Sequence, residues 1–375
     1  MIRIGVIGCG QRMRSLAREL VGFGDISLKM VYDPQPGQVE RFVQELGQSM
    51  RPRQADSWKQ LVENKSLDWV LIGSPNAHHA KQAAASLTAG KQVFLEKPLA
   101  VTMDECLELM RVQEETGSKL VTGFVLRWSP LYQRMHRLLS ELDFGPVVSF
   151  QACEHISYEH GAYMMRGWRR DRSIAGSYAL EKCVHDLDLI QWMTGSPVCA
   201  VTALGGRKIY IGKNREALPI LKDIQWEEKG NLDLPHPCFD EPDLVEDHFS
   251  ALIRCSSGIS GVLQASAGSA VPLRRLSLHC LTGWIEAELY SGTLRYRTCS
   301  MEHEKLLSWS FNDLHGGGDA PLAAGLHLSM LSRENERQQM IEGVQATMAG
   351  IALGESMDRR EWIDISAQLG LIDYR

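Results

Sequence analysis

The triplet Glu96-Lys97-Pro98 is the most informative in this chain. Pro98 stops the apolar run Gln92 to Leu95 from continuing as a strand, so Lys97 should stand at a strand end and point into a cleft. A lysine desolvated there has a lowered pKa; it can relay a proton, or hydrogen-bond a hydroxyl as it loses one. Composition alone would favour a solvated lysine paired with Glu96. A second cluster is Glu181-Lys182-Cys183-Val184-His185-Asp186-Leu187-Asp188. On a helix, residues four apart share a face, so Glu181 and His185 can look into one cleft. The carboxylate would raise and orient the imidazole. Lys182 lies about 100° off that face, where it binds an anionic or hydroxyl-rich substrate or forms an ion pair. A lone histidine is usually a core residue, here capped by Asp188, but so many ionisable groups on an apolar helix argue for a site. Cys183 reads as a small packing residue.

Gly8-x-Gly10 follows an apolar run and opens a helical stretch. Such a turn lets a backbone approach a pyrophosphate at a helix N-terminus. Gln11, Arg12 and Met13 come next and are cofactor-binding candidates with the two glycines, although Met13 occupies the place of the usual third glycine. Asp33 ends the second apolar run, where an acid accepts the ribose hydroxyls and repels a 2′-phosphate. NAD is therefore expected, with NADP possible because Arg12 and Arg14 are close in sequence. The plain alternatives are a tight strand–helix turn and a solvated Asp.

These residues need an array to position them. Ile2 to Gly8, Ile26 to Asp33, Leu67 to Ile72, Gln92 to Leu95 and Leu120 to Gly123 read as strands, with helical spacing between them. Thr102 is expected to cap a helix over 102–116. That alternation predicts βαβ units and a parallel sheet, with ligands beyond the carboxyl ends of the strands. Ser74-Pro75-Asn76 falls at one such end. Past Val147 the pattern changes to neighbouring strands joined by short turns, which suggests a mostly antiparallel sheet. Helices are expected at Leu180 to Trp192 and Glu334 to Ile351, and loops at Lys213 to Asp243 and Asn312 to Gly318. The fold class is thus an α/β Rossmann dinucleotide-binding domain over 1–125. An α+β domain with a large open sheet follows over 126–375, for substrate binding and oligomerisation.

Gly8-x-Gly10, Gly73-Ser74-Pro75-Asn76 with His79 three residues on, and Glu96-Lys97-Pro98 together resemble the Gfo/Idh/MocA oxidoreductases, the glucose–fructose oxidoreductase and inositol dehydrogenase family. The match continues through Gly123-Phe124, Arg127 and Pro130, then Trp168-Arg169 and Gly176 to Gly195. The resemblance implies that Lys97 is the catalytic lysine. His185 matches the family's histidine, and Glu181 stands where many dehydrogenases carry Asp. Ser74, Pro75, Asn76, His79, Glu96 and Arg169 join the glycine turn and Asp33 as cofactor-binding candidates. Arg127, Trp128, His155, Trp168 and Tyr178 are candidate pocket residues beside Lys182. The reaction implied is hydride transfer between NAD(P) and a sugar, sugar derivative or cyclic polyol, in a homodimer or homotetramer. Relatives with a transient redox glycosidase mechanism, and non-catalytic dinucleotide-binding sensors, are the alternatives.

Composition bounds the rest. With 375 residues, two domains are the default. The net charge of -6, with both signs dispersed, argues against nucleic acid as a partner. No apolar run reaches membrane-spanning length and no leader pattern is evident, so a cytoplasmic protein is expected. The nine cysteines form no C-x-x-C pair, which fits buried thiols in a reducing compartment. His236 and Cys238 have no companion spacing, so no metal is expected.

Overall fold

The computed structural model describes residues 1–47, 51–214, 216–218, 244–332 and 337–372. The chain forms two compact units. The first comprises Met1–Phe124, Asp319–Val344 and the end of the chain from Leu371, the second Val125–Gly318 and Gln345–Gly370. Sequence places one boundary, at 125/126; the chain leaves the first unit there and returns to it at Asp319.

In the first unit, strands β1 (Ile2–Ile7), β2 (Ile26–Tyr32), β3 (Arg53–Gln54), β4 (Trp69–Ile72), β5 (Gln92–Leu95) and β6 (Leu120–Thr122) form one sheet in the order β3-β2-β1-β4-β5-β6. Every pairing is parallel. The connecting helices are α1 (Gln11–Gly22), α2 (Pro36–Leu46), α3 (Trp58–Glu63), α4 (His79–Thr88) and α5 (Met103–Thr116). β4 is buried along its whole length, as a strand covered on both faces must be, hence its unbroken apolar run. The order reverses between β1 and β4, and that reversal opens a crevice at their carboxyl ends. Thr102 caps α5 in a reciprocal box with Glu105. β3 and α3 lie outside the sequence expectation, since a two-residue edge strand is too short to show a period.

In the second unit the elements are α6 (Pro130–Glu141), β7 (Val147–Ser157), α7 (Tyr158–Met164), α8 (Arg172–Ala175), α9 (Tyr178–Glu181), α10 (Val184–Thr194), β8 (Val198–Gly206), β9 (His248–Cys255), β10 (Ser260–Ser269), β11 (Leu273–Cys280), β12 (Gly283–Glu288), β13 (Thr293–Thr298) and β14 (Lys305–Ser308). They are followed by α11 (Asp319–Leu331) of the first unit, α12 (Arg337–Arg359), β15 (Ile363–Asp364) and α13 (Ser366–Gly370). The strands make one open sheet, β14-β13-β12-β11-β7-β10-β9-β8-β15. Only β7 with β10 is a parallel pair among the described residues. The alternation is clean in β9, where Phe249, Ala251 and Ile253 are buried and Ser250, Leu252 and Arg254 are exposed. α7 and α10 lie against β7. Asp247 fixes the entry to β9 by accepting the N–H groups of Lys208, Ile209 and Tyr210.

Two expectations need qualification. Residues 334–336 of the late helix, and most of the loop expected over 213–243, lie outside the described residues. The helix expected over 180–192 is broken: α9 ends at Glu181, Lys182 and Cys183 form a turn, and α10 starts at Val184.

Candidate active site

The glycine turn of the first unit is shaped for a close-lying ligand. Gly8 has φ +87°, and a Cβ there would stand 2.5 Å from the Gly73 carbonyl oxygen. Gly10 is the N-cap of α1 with no side-chain cap, and its Cβ position has nothing within 4 Å. The Asp33 carboxylate accepts the Cys9 N–H at 2.8 Å and the Gln35 N–H at 2.9 Å, which fixes it beside the turn. Gln11 is exposed at the start of α1. Met13 is a correction: it is fully buried, and a Cβ on Gly73 would collide with its Cγ. The close helix–sheet approach that a third glycine usually permits is provided here by Gly73. Arg12 is engaged within the unit, its Nε bonding Glu96 Oε1 at 2.8 Å and its Nη1 bonding Asp319. Arg14 bonds the Cys9 carbonyl and Gln38 at 3.1 Å each. Both arginines thus have partners within the unit.

Lys97 lies between two braced neighbours. Glu96 before it is buried and held by Arg12. After it, the Pro98 carbonyl is 2.7 Å from His79 Nδ1, while His79 Nε2 is 2.8 Å from the Ser74 carbonyl. His79 is 1% exposed, so its ring joins the β4 and β5 turns from within the core, a bracing geometry that the cofactor role expected for it did not anticipate. Ser74 donates its hydroxyl to Gln82 at 2.7 Å, Asn76 is buried and Pro75 is half-buried. Lys97 itself is half-buried.

The second unit gathers a buried ionic cluster. The break at Lys182-Cys183 corrects the shared helix face assigned to Glu181 and His185. Glu181 instead has Arg169 as an ion partner at 3.4 Å. The Arg169 guanidinium also lies 4.2 Å from the Trp168 ring centroid and 4.5 Å from that of Tyr163. Arg127, a pocket candidate, forms a bidentate pair with the buried Asp188 at 2.7 and 2.6 Å. Lys182 takes the ion-pair option, 3.4 Å from Glu154 Oε1 and 3.5 Å from His160 Nε2. Arg274 reaches Glu154 at 3.0 Å and Asp186 at 3.0 and 2.8 Å. Burial pushes the Asp186 carboxyl up to about 6 despite Arg274. Burial disfavours the Arg274 charge too, but Asp186 and Glu154 outweigh it and raise its pKa. Burial and then the Lys182 charge hold His160 well below the ordinary imidazole value. His185 is buried, and its ring centroid is 6.5 Å from that of His315.

His155 does not join this cluster, because it alternates with Glu154 along β7 and takes the opposite face. Tyr178 is fully buried against Phe249 and belongs to the core, as does Cys183. Trp128 and Trp168 are half-buried. Sequence reading passed over Glu154, His160, Arg274 and His315. Alternation within β7 marks Glu154 as an inward acid, which is the one available signal.

Among the described residues no group of three or more His, Cys, Asp or Glu could hold a metal ion, and no helix is long and apolar enough to cross a membrane. Residues 2–124 match the model of an oxidoreductase family with an NAD-binding Rossmann fold, and residues 132–286 match the GFO/IDH/MocA C-terminal domain. Among curated relatives, the 2,7-anhydro-N-acetylneuraminate hydratase of Escherichia coli is 27% identical over 56% of this chain, which spans 55% of that relative's length. The inositol 2-dehydrogenase of Ralstonia nicotianae is 25% identical, over 76% of this chain and 80% of the relative. A levoglucosan dehydrogenase solved with NADH and levoglucosan superposes with a TM-score of 0.80 at 18% identity, over 97% of this chain and 99% of that one.

Proposed function

Since this chain belongs to the Gfo/Idh/MocA oxidoreductase family and carries its NAD-binding Rossmann domain, we propose that it is an NAD-dependent dehydrogenase acting on a CH–OH group of a sugar, sugar derivative or cyclic polyol. The observation that carries this reading is Lys97 at the carboxyl end of β5, with Glu96 and Pro98 each fixed by a buried or half-buried partner. The residues suit the cofactor: the Gly8 to Gly10 turn leaves room for a pyrophosphate, and Asp33 is anchored for ribose hydroxyls. Bound NAD supplies the acceptor for the hydride that leaves the carbinol carbon.

The chain's own residues handle the proton. Oxidation breaks the C–H and O–H bonds of the alcohol, and the O–H proton must reach a base. We assign that base to His185. Lys97 donates a hydrogen bond to the oxygen as it gains carbonyl character. Glu181 keeps Arg169 in place, and Trp168 and Arg169 offer flat faces to a sugar ring. Sensors that bind dinucleotide without turnover tend to lose the lysine and histidine, and both are present here. The cytoplasm is the compartment we propose. Exposed Leu204, Leu252 and Val262 on the open sheet face support a homodimer or homotetramer.

The test is absorbance of reduced cofactor with NAD or NADP and a panel of inositols, aldoses, sugar acids and N-acetyl sugars. Turnover on one class, lost in Lys97→Met and His185→Asn, is expected. Tight NAD binding with silence across the panel would overturn the dehydrogenase reading.

A further inference from the structure

We propose that His315 is the exit for the substrate proton, accepting it from His185 and passing it to solvent. The inference rests on the reading of His185 as the base. His185 is only 5% exposed, so a proton it takes from an alcohol cannot pass straight to bulk water. It must be handed to a neighbouring group before the next turnover. The His315 ring is that neighbour, with centroids 6.5 Å apart and planes at 51°. That spacing leaves the ring edges within reach of one bridging water. His315 is itself partly exposed.

His160 is a poorer outlet. His160 also lies near His315, but its basicity is depressed by burial and then by Lys182. Behind it stands the Lys182 ammonium, 3.5 Å from His160 Nε2, which has no lone pair to accept a proton. The His315 imidazole, partly exposed and next to His185, is the better outlet for that proton.

The loop carrying His315 is built to hold it. Asp313 Oδ1 accepts the N–H of His315 at 2.8 Å and of Gly317 at 2.9 Å. The Ser129 hydroxyl donates to the Gly316 carbonyl at 2.7 Å. Gly316 and Gly317 have φ +60° and +75°, conformations that a side chain would strain. The balance is simple: His185 gains the alcohol proton, His315 takes one proton from His185, and solvent takes it from His315, so both imidazoles return neutral.

His315 acts through His185 and not on the substrate, so the test must separate relay from scaffold. His315→Gln and His315→Ala are assayed with NAD and the fastest substrate of the panel above, myo-inositol first, in dilute phosphate with added imidazole. The expected result is a fall in kcat of about tenfold or more with NAD affinity unchanged. Imidazole should restore kcat in a concentration-dependent way in the variants and leave the parent unaffected. Native kcat in both variants, or a loss that imidazole does not restore in a variant with native circular dichroism, overturns the relay alone. Full turnover in His185→Asn, or silence across the panel, overturns the underlying reading and the relay with it.

Discussion

Lys182 Nζ lies 3.4 Å from Glu154 Oε1, which joins the break between two short helices to the inward face of the central strand β7. Glu154 is fully buried and also meets Arg274 at 3.0 Å, so one carboxylate serves two cations. Removing the acid breaks both pairs and leaves Arg274 to Asp186, whereas removing Lys182 leaves Glu154 with Arg274. Breaking a buried pair from one side costs about 3–5 kcal/mol. Glu154→Gln should therefore lower the urea midpoint far more than Lys182→Met. Equal losses would show that Arg274 does not share the carboxylate.

His160 gives the fold an acid-sensitive point. Its folded pKa is lowered, by burial first and by Lys182 second. The unfolded chain, with an imidazole near its usual value of about 6.5, then binds more protons than the folded one below that pH. The stability tied to neutral His160 is present above about pH 6.5 and is lost as pH falls toward the folded pKa. Tm should drop from about pH 7.5 to about pH 5.5, and His160→Gln should flatten part of that drop. Parallel slopes in parent and variant would remove His160 from the account.

The parts of the fold that sequence exposes are those whose signal is local. β4 is an unbroken apolar run, and β1 and β5 are nearly so, because both sheet faces are covered, and Gly8, Asp33 and Lys97 follow where β1, β2 and β5 stop. What stays hidden depends on distant partners. Nothing near Arg12 announces Glu96 or Asp319, and nothing near Arg274 announces Glu154 or Asp186, because the partners are far apart in the chain. The break at Lys182-Cys183 is invisible for a different reason: both residue types are tolerated inside helices, so periodicity runs straight across it. The Asp188 partner of Arg127 is equally hidden, because an arginine beside a tryptophan suits a pocket as well as it suits a buried carboxylate.

Cofactor choice should follow Asp33. Its carboxylate is fixed by the N–H groups of Cys9 and Gln35, and the arginines near it in sequence, Arg12 and Arg14, have partners within the unit. Asp33→Ser removes a charged acceptor worth about 1.5–3 kcal/mol per hydrogen bond, so NAD affinity should fall about 10- to 100-fold. NADP affinity should rise as repulsion is lost, without overtaking NAD by a wide margin, because no cation replaces the acid. Titration of intrinsic fluorescence with each cofactor measures both. An unchanged NAD affinity would remove Asp33 from the ribose site.

Gly73 and Met13 should behave as one unit. A Cβ on Gly73 would strike Met13 Cγ and stand 2.7 Å from its Sδ, and Met13 is fully buried under α1. Gly73→Ala should overpack that contact at about 1–3 kcal/mol. It should also shift the first turn of α1, where Gly10 stands, and so weaken NAD binding. Met13→Ala alone leaves a void costing about 2–5 kcal/mol. In the double variant the new methyl enters space the methionine has vacated, so its loss should be smaller than the sum of the two singles. Urea denaturation of the four proteins completes the cycle, and additive losses would show that α1 does not rest on Gly73.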